Sequence, residues 1–225
     1  MKIGILLTGH TLPDLVEKRG DQDRFFAELL AGHGFDFTTY AVVDGELPDS
    51  PEEQDGWLIT GSKHGAYDDL PWIAPLEAFI REIHAADRPL VGICFGHQII
   101  AQALGGRVIK YPGGWQVGRT AYDIEGESFH LNAWHQDQVS ELPEGAEVIA
   151  STPHCAYAGL RIGERILTIQ PHPEFDAEIV ETLIAQRGPG VVPDPLLAQA
   201  AERLPLPTDA PRFADRIAQV LRKGA

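Results

Sequence analysis

Residues 88–106 read RPLVGICFGHQIIAQALGG, and the pattern of this stretch changes once along its length. Leu90 to Ile93 is a short apolar run between Pro89 and a glycine-flanked cysteine. Its length and composition suit a buried strand of a parallel sheet. Ile99, Ile100, Ala103 and Leu104 then recur at helical spacing and stop at Gly105-Gly106. Cys94 therefore falls on the turn from strand to helix. Gly92 and Gly96, two residues to either side, leave no side chain to hold the two elements apart. That is the layout of a nucleophile elbow, with cysteine where serine is usual. A helix N-terminus also favours the thiolate, the reactive form. A buried structural cysteine is the plain alternative. The glycine bracket, together with a histidine motif downstream, weighs for the nucleophile.

Outward from the elbow, strands and helices alternate. Ile3 to Leu7 reads as a first strand, residues 11–22 as a polar loop with Pro13 and Gly20, and Phe25, Phe26, Leu29 and Leu30 as a helical stripe. Phe35 to Val43 and Gly56 to Thr60 read as the next two strands, and a helix begins near Pro75. This alternation predicts an α/β fold: an open, mostly parallel central sheet flanked by helices, in the flavodoxin-like manner. Functional groups then gather at the carboxyl ends of the strands. From Arg107 to Gln170 the pattern becomes strand-rich, with candidates at 107–111, 120–124, 147–151, 156–162 and 165–170. These runs predict a side layer packed beside the main sheet or continuing it. Residues 1–187 are expected to form one domain. Residues 188–225 read as a Pro/Gly-rich linker and a C-terminal helical extension, with stripes at Leu196-Leu197-Ala200-Leu204 and Phe213-Ile217-Val220-Leu221.

The bulk properties exclude several classes. A chain of 225 residues with 44% hydrophobic and 23% charged residues is ordinary for a globular protein with a real core. A net charge of −15 argues against nucleic acid or an anionic membrane as partner. Two cysteines, Cys94 and Cys155, do not make a disulfide framework, so a cytoplasmic location is expected. The opening MKIGILLTGH reads as a strand rather than a signal segment, and no run is long enough to span a membrane. The histidines show no metal-ligand spacing, so no metal is expected, and no phosphate-cradling Gly-rich loop with Lys-Ser/Thr follows a strand, so no cofactor is expected either. Cys155 is assigned a structural role.

A cysteine nucleophile needs a base to move its proton, and the base needs an orienting group. His172 is best placed for this. The strand-like run RILTIQ ends at Gln170 and is followed by Pro171-His172-Pro173-Glu174. The prolines stiffen a segment that projects one histidine from a strand end. Glu174, two residues on in extended chain, falls on the same side. Taken alone, this motif reads equally well as a proline-rich surface turn.

Taken together, Gly92-Ile93-Cys94-Phe95-Gly96-His97-Gln98 and Gln170-Pro171-His172-Pro173-Glu174 resemble the class I, triad-type glutamine amidotransferase family. The similarity covers about residues 1–185, and it lies nearest the branch of the γ-glutamyl peptidases and GMP synthase amidotransferase domains. The resemblance implies a Cys94-His172-Glu174 triad that attacks a γ-carboxamide and passes through a γ-glutamyl thioester. It implies an oxyanion hole from the backbone N–H groups of Phe95 and Gly61, with Lys63 standing where the family usually has proline. It implies substrate contacts from Gln98 and from His135, Gln136 and Asp137, which lie in a His-x-Asp loop. A solvated turn is the alternative reading of that last segment. Gln116, in Gly114-Trp115-Gln116-Val117-Gly118, replaces a usual acid and bears on what is accepted. His97 is expected to pack rather than act as base, and His64 to line the pocket mouth.

Three functions follow. The first is hydrolysis of glutamine to glutamate and ammonia, with a separate synthetase or acceptor subunit as partner. The second is cleavage of γ-glutamyl peptide or amine bonds by the same triad. The third is a non-catalytic binding or regulatory module, against which the intact triad argues.

Overall fold

Four short strands, β1 (Lys2–Leu6), β3 (Gly56–Ile59), β4 (Leu90–Ile93) and β11 (Ile166–Ile169), are buried almost throughout. Their apolar runs are continuous rather than alternating because helices cover both faces. The computed structural model describes residues 1–224. With β2 (Asp36–Tyr40), these strands form a parallel array in the order β2-β1-β3-β4-β11. The same sheet runs on, antiparallel, through β10 (Gly159–Ile162), β9 (Ala146–Ser151), β6 (Gln116–Ile124) and β7 (Glu127–His135). The strand-rich region thus continues the main sheet. Separately, β5 (Arg107–Lys110) pairs with β8 (Asp137–Glu141).

Alternate residues of the parallel strands feed two cores. Ile3, Ile5, Leu58, Val91, Ile93, Leu167 and Ile169 face one side. There they meet Phe26 of α2 (Gln22–Leu29) and Phe213, Ile217 and Leu221 of α7 (Ala210–Leu221). Leu6, Trp57, Ile59 and Leu90 face the other side. They meet α3 (Ile73–Ala85) through Leu76, Phe79, Ile80 and Ile83, and α4 (Phe95–Ala103) through Ile99 and Ile100. The Phe213-Ile217-Leu221 stripe is fully buried, so α7 covers the sheet as closely as the earlier helices do. A third cluster joins Leu15 and Phe25 to α5 (Ala177–Gln186). After α5, α6 (Asp194–Arg203) lies against β6, where a Cβ on Gly118 would meet Ala200 at 2.6 Å.

Three local expectations change. Residues 11–22 are not all loop, because α1 (Pro13–Arg19) lies within them. Pro13 starts this helix in the first-turn position that tolerates it, and Gly20, at φ 84°, closes it. Only Leu15 of the helix is buried, which left no stripe to read. Strands β7 and β8 also exceed the expected set. Glu125 and Gly126, both at positive φ, form the two-residue turn joining β6 to β7. Finally, the segment from Trp134 to Asp137 is not a solvated loop. His135 ends β7 and Asp137 begins β8, and His135 is buried. Among the described residues, no helix is long and apolar enough to cross a membrane.

Candidate active site

Cys94 sits between β4 and α4 with φ 53° and ψ −101°, backbone angles that a non-glycine residue rarely holds. Such a conformation costs on the order of 1–3 kcal/mol and persists only where its surroundings over-determine it. Here they do. The Cys94 N–H donates to Ile169 O at 2.9 Å, the Gly96 N–H to Thr60 O at 3.1 Å, and the Gln98 N–H to Cys94 O at 3.1 Å. The turn is thereby tied to both neighbouring strands. The flanking glycines are required sterically: a Cβ on Gly92 would lie 2.5 Å from Gly96 O, and one on Gly96 2.4 Å from Ile59 O. Both clashes are with backbone, which cannot swing away.

His172 follows β11, the strand beside β4, and its N–H donates to Asn132 O at 2.8 Å, fixing the segment against β7. Its Nδ1 lies 2.7 Å from Glu174 Oε1. Both side chains are almost wholly inaccessible. Since an ionised carboxylate can only accept, Nδ1 carries the proton and Nε2 is left free for chemistry. The imidazole stacks on Phe175 with ring centroids 3.9 Å apart and planes 3° from parallel. At its Cε1 atom it abuts Gly61, where a Cβ would come within 2.9 Å. Burial pulls the His172 pKa down, but nearby Cys94 and Glu174 outweigh it and raise the value to about 10. The structure therefore brings Cys94, His172 and Glu174 together, with a histidine that stays cationic at neutral pH.

The loop after β3 is held from behind. Gln22 Nε2 donates to Gly61 O at 3.1 Å and to Gly9 O at 2.6 Å. The Thr8 hydroxyl lies within 3.1 Å of the Thr60 and Gly61 carbonyls. These two buried side chains supply the rigidity that Lys63 cannot. No local pattern pointed to them, because they come from the end of β1 and the start of α2. Phe95 opens α4, so its N–H has no carbonyl partner within the helix.

A cavity of about 460 Å³ opens in front of Cys94 and takes in Gln98, Ser62 and the His135-Gln136-Asp137 segment. Gln98 Nε2 donates to Asp137 O at 2.9 Å and to Gln170 Oε1 at 3.1 Å, and Gln170 Nε2 in turn lies 3.6 Å from Cys94 Sγ. Gln170 opens the His-Pro-Glu motif in the sequence, but nothing there assigned it a contact with the nucleophile. His135 is neutral, with burial first and the His172 charge second holding its pKa near 3. Its Nδ1 faces Asp137 O at 3.3 Å, and its buried Nε2 has no partner among the described residues. Gln136 lines the cavity too and donates to Tyr111 O at 3.2 Å. The Asp137 carboxylate accepts from Tyr67 Oη at 3.0 Å. Burial raises the Asp137 pKa, and burial with Asp137 pushes Tyr67 up to about 12. His64 lines the mouth against Trp72. His97 is fully buried on Thr168 Oγ1 at 2.8 Å, away from the cavity, and burial lowers its pKa to about 3.

The family model described as glutamine amidotransferase class-I matches residues 44–187. A glutamine amidotransferase-like protein of Schizosaccharomyces pombe is 35% identical over 189 residues, 77% of this chain and 76% of that one. Gamma-glutamyl peptidase 3 of Arabidopsis thaliana is 31% identical over 176 residues, 71% of each chain. A solved structure of a glutamine amido transferase from Methylobacillus flagellatus superposes with a TM-score of 0.77 at 24% identity. The match covers 99% of this chain and 94% of that one, a likeness of fold.

Proposed function

The chain belongs to the class I glutamine amidotransferase family, and we propose on that basis that it cleaves γ-glutamyl amides through Cys94, His172 and Glu174. The observation that carries this reading is the buried 2.7 Å His172–Glu174 contact beside a cysteine held at an elbow. In the first half-reaction the Cys94 sulfur attacks the γ-carbonyl carbon. The C–N bond breaks, the His172 imidazolium gives its proton to the departing nitrogen, and a γ-glutamyl thioester remains. His172, now neutral, takes a proton from water. The resulting attack frees glutamate and restores the cysteine and the protonated imidazole. Glu174 keeps the ring in its productive tautomer throughout.

Oxyanion stabilisation falls to two backbone donors. Phe95 N–H, left without a helical partner, serves as one. For the other, geometry favours Ser62 over Gly61. The Thr60 carbonyl points at the Gly96 N–H, so the Gly61 N–H of the same planar trans unit points away from the elbow. The Gly61 carbonyl turns back toward Gln22, which directs the Ser62 N–H toward the cavity that Ser62 lines. In this arrangement Gly61 is the residue whose missing side chain lets the loop approach His172. Asp137, steadied by Tyr67, receives the donor's α-amino group, while Gln98 and Gln170 shape the cavity beside the sulfur. Gln136 contributes to holding this joint rather than to the substrate.

With glutamine as donor the leaving amine is ammonia, which a separate acceptor enzyme would consume. With a γ-glutamyl peptide it is an amino acid or peptide, the reading supported by the likeness to a γ-glutamyl peptidase. The test is release of glutamate, and of ammonia or free amino acid, from glutamine and a γ-glutamyl dipeptide offered separately. Turnover by wild type and none by Cys94→Ala is expected. Equal turnover by Cys94→Ala would sink the nucleophile assignment, and a folded wild type silent on both donors would favour the non-catalytic module.

A further inference from the structure

The cavity in front of Cys94 is lined by charges of both signs. At one end the Asp137 carboxylate is gripped by Tyr67, with Lys110 close enough to draw down its pKa. Toward the other end stand Lys63, His64 and Arg187, where burial first, then Lys63 and Arg187, depress the His64 pKa against Asp68, which lies on the same wall and is matched there by the two cations. Arg187 is the unusual member. It ends α5, its backbone N–H donates to Leu183 O at 2.9 Å, and its side chain is half-buried on the cavity wall. Among the described residues its guanidinium has neither a carboxylate partner nor a side-chain hydrogen bond, and burial alone acts on it, lowering its pKa.

Another groove of the protein shows the contrast. That groove, about 530 Å³ beside α7, is also lined by arginines, but each is neutralised there: Arg212 by Glu127 and Asp209, Arg216 by Glu125, and Arg161 by Glu125. An arginine's planar fork is shaped for a carboxylate, and a half-buried one left open in a cavity is set to receive an anion from outside.

Which anion follows from the two ends. The donor's own amino-acid head has an ammonium for Asp137, and Lys110 beside it suits the α-carboxylate. The Arg187 end, alongside the Ser62–His64 loop, is left for a charge on the other side of the scissile bond. We propose that Arg187, assisted by Lys63, forms a subsite for a carboxylate carried by the leaving group, so that the substrates are γ-glutamyl amino acids or peptides with a free carboxylate. This rests on the Cys94 reading and narrows it. Ammonia carries no such group, and glutamine would leave the subsite empty.

The experiment compares kcat/KM for γ-glutamylglycine and γ-glutamylglycinamide, donors that differ only in the terminal charge, in wild type, Arg187→Met and Arg187→Lys. Wild type is expected to favour the free acid by about tenfold or more, the scale of one charge-assisted hydrogen bond. Arg187→Met keeps the apolar stem and should bring the ratio close to one, mostly through KM, and Arg187→Lys should fall between. A wild-type ratio of one or less overturns the proposal without need of any variant. So does a ratio that survives intact in Arg187→Met, or an equal loss on both donors, which would put Arg187 on the glutamyl head. Failure of the underlying reading looks different: neither donor is cleaved, or cleavage persists in Cys94→Ala.

Discussion

The parallel and antiparallel halves of the sheet hold their functional residues in different ways. In the parallel half, β3, β4 and β11 converge on Cys94 through backbone hydrogen bonds and glycine contacts that allow almost no displacement. His172 is walled in by Phe175 and Gly61. In the antiparallel half, β7 ends in His135, the separate strand β8 begins beside it with Asp137, and side chains hold that end: Tyr67 on Asp137 and Gln98 on its carbonyl. The first half is built to fix reacting atoms within tenths of an ångström. The second is a wall whose chemistry can change without moving the first. Turnover should therefore answer to the parallel half and selection to the antiparallel half and the α5 terminus.

Substitutions at the triad give the largest expected effects. Cys94→Ala and His172→Ala should each lower kcat by roughly 10⁵–10⁶-fold and Glu174→Ala by less, about 10²–10⁴-fold, because orientation is lost rather than proton transfer. A Glu174→Ala loss exceeding that of His172→Ala would count against these roles. Stopped-flow or single-turnover assays with a chromogenic γ-glutamyl anilide measure the ranking directly.

Gly96→Ala comes next and tests the frame rather than the chemistry. Its Cβ would lie 2.4 Å from Ile59 O, so either β3 or the elbow must shift. Destabilisation of about 1–3 kcal/mol is expected in urea melts, with kcat falling beyond what the unfolded fraction explains. A variant with wild-type stability and activity would show the elbow to be looser than its contacts imply. In the other half, Gly126→Ala at the β6–β7 turn has nothing within 4 Å to strike. It should affect only stability, through its positive φ of 82°.

The pH profile sharpens the same contrast. His172 has a pKa raised to about 10, so its imidazolium is the resting form through neutral pH and is lost as pH climbs through 10. The alkaline limb of kcat/KM should fall near that value. The stability this charge confers is complete below about 6.5, the unfolded value, and disappears as pH rises past the folded one. In Glu174→Gln one of the two charges holding the proton is gone, and the limb should move to lower pH. An unmoved limb would mean that another group sets it.

The difference between the halves also explains what could be read from the sequence. The elbow was legible because strand, glycine bracket, cysteine and helix lie in one stretch of nineteen residues, 88–106, and each obeys a local rule. The His-Pro-Glu segment was legible because both members of the contact are two residues apart. The supports were not. Thr8, Gln22, Asn132 and Gln170 reach the site through pairings with residues far along the chain, 39 positions apart for Gln22 and Gly61 and 76 for Gln170 and Cys94, and no local pattern assigns them these contacts. Arg187 was hidden for another reason. An arginine at the C-terminal end of a helix reads as ordinary dipole complement, and only the cavity and the missing carboxylate set it apart. Strands β7 and β8 were missed because polar residues interrupt their apolar ones: Asn132 and His135 are buried in β7 beside Phe129, Leu131 and Ala133, and β8 opens on Asp137-Gln138.

The smallest effect expected lies at the antiparallel wall and is also the most discriminating. Tyr67 stays protonated, its pKa pushed to about 12, and its hydroxyl donates to Asp137 at 3.0 Å. That hydrogen bond, like Lys110, favours the charged carboxylate against the burial that disfavours it. Tyr67→Phe removes the donor and leaves the ring. The Asp137 pKa should then rise further, so that the carboxylate offered to the donor's ammonium is lost earlier as pH falls. The expected outcome is a KM raised a few-fold at neutral pH, about the worth of one hydrogen bond, and an acid limb of kcat/KM moved to higher pH. kcat at saturation should stay within about twofold of wild type, since nothing in the triad depends on this contact. A fall in kcat instead of a rise in KM would mean that Asp137 and Tyr67 act on the reacting centre through Gln98 and Gln170. The two halves of the sheet would then be one machine rather than two.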